Sequence, residues 1–275
     1  MHRVFLKFPI LAVVLLLALA FIGPVACGTA QPTEEMDYSD QAEYLYRTGQ
    51  EALERGNYLD AINRFNTVRN EFPYSRWAAE ANLGIGDAYF EQEQYASAVQ
   101  QYRGFINLYP RHERVEYARW RVALAFYEQM PSDFFILPPP HERDLSTTRD
   151  AVRELHLFVR NYPESEYADD ARQKWRYSMR RLANHEYYVA DYYMDRDNPT
   201  AAVQRLRFLL QNYSGLGLDA EALFMLGRAY LELEDDDRAA TAFRDLVNNH
   251  PDHARARQAQ RHLEQISPTS DDESS

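Results

Sequence analysis

The stretch Ala61-Ile62-Asn63-Arg64-Phe65-Asn66-Thr67-Val68-Arg69-Asn70-Glu71-Phe72-Pro73 decides the fold, because its pattern returns four more times along the chain. Counting back from Pro73, an alanine lies twelve residues before, a large apolar residue eight before and another five before. Those offsets lay one apolar stripe on a helix, with a small residue where a neighbouring helix must approach closely. Proline closes the helix, since it lacks an N–H donor and restricts the residue ahead of it. The same offsets give Ala98, Tyr102 and Phe105 before Pro110, and Ala151, Leu155 and Phe158 before Pro163. They give Ala202, Leu206 and Leu209 before Ser214, where Tyr213-Ser214 stands without the proline, and Ala239, Phe243 and Leu246 before Pro251.

A second helix precedes each of these. Gly86-Asp87-Ala88-Tyr89 matches Gly227-Arg228-Ala229-Tyr230, while Ala123-Leu124-Ala125-Phe126 and Gly49 take the equivalent place. Small residues there let paired helices touch. Glycine, aromatic, alanine, large apolar and proline at these offsets resemble the tetratricopeptide repeat, here in five copies. With few glycines and no period-two alternation, the fold expected is all-α, a superhelical solenoid of five helical hairpins. Two copies are irregular: successive stops are 37, 53, 51 and 37 residues apart. The third hairpin gains a loop holding Phe134-Phe135 and Pro138-Pro139-Pro140, an extended connector that no helix crosses. The fourth has no breaker from Asp169 to Asn198, so its first helix should be unusually long.

The ends carry a different message. Arg3 and Lys7 precede an apolar run from Ile10 to Ile22, the charged and apolar regions of a secretory signal, too short to span a bilayer comfortably. Pro24-Val25-Ala26-Cys27 resembles a bacterial lipobox, with proline where leucine is usual. The resemblance implies cleavage before Cys27 and attachment of diacylglycerol and an N-acyl chain there, a stable anchor because each buried methylene contributes about 0.8 kcal/mol. Gly28 in place of an aspartate implies the outer membrane, periplasmic face. The organisation expected is a signal over 1–26, a linker over 27–39, an N-terminal repeat groove over 40–130, the inserted loop and the second helix of the third hairpin over 131–168, a C-terminal half over 169–265 and a disordered acidic tail over 266–275. Loss of residues 1–26 removes two basic side chains and no acidic one, moving the net charge from −12 to −14, which disfavours nucleic acid as a partner. Cys27 is the only cysteine, so stability cannot depend on disulfides within the chain.

The irregular hairpins are the most specific feature. Phe134-Phe135 with Arg143-Asp144, then Asn161-Tyr162-Pro163-Glu164-Ser165-Glu166-Tyr167, then Leu182-Ala183-Asn184-His185-Glu186-Tyr187-Tyr188-Val189-Ala190-Asp191-Tyr192-Tyr193, resemble the BamD family of lipoproteins of the outer-membrane β-barrel assembly (BAM) machinery. The resemblance spans about residues 40–265. It implies a non-catalytic scaffold whose C-terminal repeats dock on a POTRA domain of the barrel-inserting subunit BamA, beside other BAM lipoproteins. Its N-terminal repeats would receive unfolded β-barrel proteins. Phe134, Phe135, Arg143, Tyr187 and Tyr192 are then candidates for partner contact. The runner-up is a repeat lipoprotein adaptor for pilus secretin assembly or envelope division, which would not be expected to share both irregular hairpins.

The repeat register places Tyr46, Leu83, Phe90, Tyr117, Trp120 and Tyr127 toward the hollow of the first three hairpins, among Glu43, Glu54, Glu80, Asp87, Glu91 and Glu128. Rings with carboxylates at their margins suit an extended peptide, although aromatics at such spacing also fill gaps between repeats. Asp144 reads as a helix start, and Arg143 as an interface residue. His250, His253 and His262 lack the ligand set of a metal site, and His185-Glu186 is followed by Val189 where a zinc-protease motif needs histidine. No phosphate loop or serine elbow is present, so neither catalysis nor a cofactor is expected.

Overall fold

The computed structural model describes residues 36–131 and 144–266, all of whose regular structure is helical. The signal, Cys27 and linker residues 27–35, Phe134, Phe135, Arg143 and tail residues 267–275 lie outside the described residues, while the end of the expected linker, from Tyr38, already belongs to the first helix. Eleven described helices follow in order: α1 (Tyr38–Glu54), α2 (Tyr58–Glu71), α3 (Trp77–Glu91), α4 (Tyr95–Leu108), α5 (Val115–Glu128), α6 (Ser146–Asn161), α7 (Ala168–Met194), α8 (Pro199–Asn212), α9 (Asp219–Glu232), α10 (Asp236–Asn249) and α11 (Ala256–Ile266). They pair as α1/α2, α3/α4, α5/α6, α7/α8 and α9/α10, each helix packed on the next, and α11 closes the stack against α10. No described helix is long and apolar enough to cross a membrane.

The offsets that define the repeat are the core. All fifteen residues at the twelve-, eight- and five-before positions, from Ala61 to Leu246, are at most 2% exposed. The five-before residue also ends the helix: the N–H of Phe72, Tyr109, Tyr162, Tyr213 and His250 donates to the carbonyl of Val68, Phe105, Phe158, Leu209 and Leu246 respectively. At the fourth stop, which lacks proline, the Asp219 carboxylate accepts from the Ser214 hydroxyl and from the Gly215 N–H at 2.9 Å, tying the turn to the start of α9.

The eight-before side chain meets the small residue of the partner helix at contact distance. A Cβ on Gly86 would lie 2.7 Å from the Tyr102 ring, and one on Gly227 would lie 2.5 Å from Phe243. Phe65 is held from two sides, since a Cβ on either Gly49 or Gly84 would come within 2.7 Å of it. In the third hairpin Ala123 and Leu155, at the equivalent positions, share one buried cluster, a larger small residue with a smaller large one. Overpacking such a contact costs roughly 1–3 kcal/mol, which explains why glycine faces the rings.

The two irregular hairpins position the surfaces. Helix α7 has 27 residues, about 40 Å at 1.5 Å per residue, and outreaches α8. In the third hairpin the first helix ends at Glu128 and the second begins at Ser146. Asp144 accepts from the Ser146 N–H at 2.9 Å and from its hydroxyl at 2.7 Å. It stands one residue ahead of Leu145, the N-cap of α6, so it folds the approach to the helix and is not itself the cap.

Candidate binding groove and docking surfaces

Successive first helices touch directly, α1 with α3, α5 with α7 and α7 with α9, which makes them the inner layer of the stack. The ring of Tyr46 on α1 stacks on Trp77 of α3 with centroids 4.8 Å apart, and the Arg76 guanidinium lies 4.3 Å from the Trp77 ring. Phe90 on α3 meets Tyr95 edge-on at 5.2 Å and carries the Arg121 guanidinium 3.8 Å from its centroid. Tyr117 on α5 lies 6.3 Å from Tyr167 and beneath Arg114 at 4.4 Å. Tyr127 lies 6.0 Å from Tyr177 and 4.9 Å from the Lys174 ammonium. These four residues are half-buried.

The other two are not groove residues. Leu83 is 1% exposed, in the cluster that holds Tyr102 and Phe105. Trp120 is 5% exposed, stacked on Tyr167 at 5.7 Å and 6° and tilted against Phe158 at 5.6 Å. Both fill the space between hairpins, because a side chain one helical step round from the groove meets the following hairpin.

Asp87 organises the polar floor. Its carboxylate accepts from the hydroxyls of Tyr102 at 2.6 Å and Tyr117 at 2.7 Å, while Arg121 donates from Nε to the Tyr102 oxygen at 2.9 Å. Arg121 also pairs with Asp87 at 3.4 Å and Glu91 at 3.3 Å. Burial, then the Asp87 charge, raises both phenols far above the ordinary tyrosine value. Burial alone would lower the Arg121 guanidinium, but Tyr102, Tyr117 and Asp87 outweigh it and hold the group protonated. Tyr46 is raised as well, first by burial and then by Glu80. Beside this network Glu54, Arg55 and Tyr58 complete a recess of about 610 Å³.

Arginine is the component that sequence reasoning missed. Glu80 and Asp87, read as carboxylates at the groove's margin, are paired across hairpins with Arg114 at 3.5 Å and Arg121. A signal was available: Arg255 pairs with Glu221 at 2.9 Å, the same 34-residue separation as Arg114 and Glu80. The backbone N–H of each arginine donates to the Nδ1 of a histidine two residues before it, His112 or His253, at 3.2 Å. His253 is thereby a structural acceptor, and His262 lies flat on Phe243 at 4.9 Å. Among the described residues no group of three or more His, Cys, Asp or Glu side chains is placed to hold a metal ion.

In the C-terminal half Tyr187 packs half-buried beside the core of the last two hairpins, its phenol raised by burial and then by Glu221. Tyr192 is exposed, 5.8 Å from Tyr193, with the Arg196 guanidinium 3.7 Å from its ring. Arg207, Leu210, Leu223, Tyr230 and Arg238 line an open cavity of about 720 Å³ between α8, α9 and α10. Glu186 is buried and pairs with Arg205 at 3.2 Å, which accounts for the carboxylate of the His185-Glu186 pair.

A stack of five hairpins with rings on its inner layer and an ionic and aromatic surface on its extended half defines a tetratricopeptide-type repeat fold. The family model described as YfiO, outer membrane lipoprotein, matches residues 38–244. Outer membrane protein assembly factor BamD of Caulobacter vibrioides is 31% identical over 240 residues, covering 87% of this chain and 75% of that protein. The protein of the same name from Neisseria gonorrhoeae is 29% identical over 237 residues, covering 86% and 89%. The chain therefore belongs to the BamD family of outer-membrane protein assembly factors, whose members are non-catalytic. Among solved structures, the TPR2AB domain of yeast Sti1 aligns over 82% of this chain and 83% of its own, with 12% identity and a TM-score of 0.43.

Proposed function

We propose that this chain is a lipid-anchored assembly factor whose two halves hold different proteins at the periplasmic face of the outer membrane. Hairpins one to three receive an extended segment of an unfolded β-barrel protein along Tyr46, Phe90, Tyr117 and Tyr127. The C-terminal half docks on a POTRA domain of a BamA-type barrel-inserting subunit, near Tyr187 and Tyr192, with Phe134, Phe135 and Arg143 as further contacts from the inserted loop. The observation that carries this reading is the row of half-buried rings on first helices that touch one another. Such rings bury apolar side chains of an extended chain, while Arg114, Arg121 and Glu91 at their edges satisfy its backbone and fix its direction.

Anchoring through acyl chains on Cys27 keeps both partners at the membrane. The match to relatives named as assembly factors favours this reading over an adaptor for a pilus secretin or for division. Purification of the tagged chain from solubilised outer membranes tests it. A barrel-inserting subunit and unfolded barrel proteins should co-purify, and recovery with a secretin and no barrel-inserting subunit would overturn it. Labelling with a radioactive fatty acid, with Cys27→Ala as control, tests the anchor separately.

A further inference from the structure

Four exposed apolar side chains share one end of the first two hairpins. Tyr38 starts α1, Tyr74 lies in the turn after α2, Leu108 ends α4, and Met36 is the first described residue before α1. Antiparallel pairing brings these positions to the same end of the stack, and the Tyr74 N–H donates to the Tyr38 hydroxyl at 3.3 Å. Tyr38 in turn packs on Phe72 at 5.0 Å, so its ring is fixed in place. Tyr74 is 95% exposed, Leu108 67%, and Met36 and Tyr38 are 46% each.

The repeat supplies its own control. The residue after the stop proline is Tyr74 in the first hairpin, but Arg111, Glu164, Gly215 and Asp252 in the others. The residue just before the stop aromatic is Leu108 in the second hairpin, but Glu71, Asn161, Asn212 and Asn249 elsewhere. The fold therefore does not require an apolar group at either place. At these two positions an apolar side chain occurs only in the two hairpins nearest Cys27. Flanking charges, Asp37, Asp40, Glu71, Arg76 and Arg111, carry both signs, so the edge offers no strong field to either sign of partner.

We propose that this edge rests on the lipid surface to which the chain is anchored, with Tyr38 and Tyr74 at headgroup level and Leu108 and Met36 against the acyl boundary. Eight residues lie between Cys27 and Met36, nine steps of chain with a reach of at most about 32 Å when extended, so the anchor holds the edge within range of the membrane. Tethering at that range makes weak apolar contacts sufficient, because the second contact is intramolecular. Tyrosine bodies with polar tips suit the interface of a bilayer. Such seating would turn the inner groove to a fixed angle from the membrane. The inference rests on the anchor reading of Cys27.

Cys27 is the only native cysteine, so a fluorophore on Tyr74→Cys in the mature acylated chain is a unique reporter. The probe is a vesicle of phosphatidylethanolamine and phosphatidylcholine containing a nitroxide lipid, with Leu59→Cys, exposed at the opposite end of α2, as the comparison site. Quenching at 74 should exceed that at 59 by at least about threefold, persist in 0.5 M salt as apolar contacts do, and fall to the level at 59 when Met36, Tyr38 and Leu108 are changed to serine. Equal quenching at the two sites would overturn the proposal. So would a label at 74 that is shielded only when an unfolded barrel protein is added. A Cys27→Ala chain held by an N-terminal hexahistidine tag on a nickel-chelating lipid keeps the tests apart: absence of acyl groups by mass spectrometry removes the anchor reading, while quenching of the tagged chain still reports on the edge.

Discussion

The indole of Trp120 lies flat on the ring of Tyr167, with centroids 5.7 Å apart and planes 6° from parallel. The contact joins α5 to the turn that opens α7, so it spans the whole second helix of the third hairpin. Trp120 is thus part of what transmits the position of the ring-lined half to the extended half.

Trp120→Ala should therefore act on stability. Deleting a buried large aromatic costs roughly 3–5 kcal/mol through lost burial and the cavity left behind. Urea unfolding followed by circular dichroism should show the loss, with the transition broadening as the two halves uncouple. Unchanged unfolding with weakened peptide capture would return Trp120 to the groove.

Phe90→Ala should do the reverse. Its ring carries Arg121 at 3.8 Å on the inner layer and is only half-buried. Binding of a labelled peptide ending in an aromatic-rich strand should weaken by about 1–2 kcal/mol, roughly five- to thirtyfold, as for a ring at the centre of an interface. Fluorescence anisotropy reads the affinity, with Leu233→Ala, exposed in the fifth hairpin, as the comparison. Equal affinities for the two variants would remove Phe90 from the binding surface.

Glycines should separate by what faces them. Gly227→Ala places a methyl 2.5 Å from Phe243 and should destabilise by roughly 1–3 kcal/mol. Gly104→Ala, within helix α4 and with nothing inside 4 Å, should stabilise by about 0.5–1 kcal/mol. Thermal melts of both variants check the sign, and a shift in the same direction would contradict the close-contact account.

Stability should fall as pH rises above about 10, the ordinary tyrosine value. Tyr102 and Tyr117 have raised values in the fold, so above that pH the unfolded chain releases protons that the folded chain retains. The contribution is complete below pH 10 and declines as pH rises toward the folded values. Urea midpoints between pH 8 and 11 should show the decline, and Tyr102→Phe should flatten it. A midpoint that rises over that interval would contradict the sign.

The fold was legible because five copies of one register constrain each other. Ala61, Phe65 and Val68 alone describe any amphipathic helix, but five sets at equal offsets from a stop leave only paired helices. The long α7 was legible for the complementary reason, the absence of a breaker. Helix α11 was not separated from the fifth hairpin, since a terminal cap has no stop of its own to count from. The groove was half legible. Periodicity says which side of a helix is apolar, not whether the next hairpin covers it, so Leu83 and Trp120 could not be told from Tyr46 and Phe90. Arg114 and Arg121 escaped because their partners lie 34 and 30 residues away on another helix.

Site-specific photocrosslinking in growing cells bears most directly on the division of labour between the two halves. A photoreactive amino acid would replace Tyr46 or Phe90 in one half and Tyr187 or Tyr192 in the other. Tyr46 and Phe90 should capture newly made barrel proteins, and Tyr187 and Tyr192 should capture the barrel-inserting subunit. Capture of the same partner from both halves, or of barrel proteins from Tyr187 and Tyr192 alone, would contradict it.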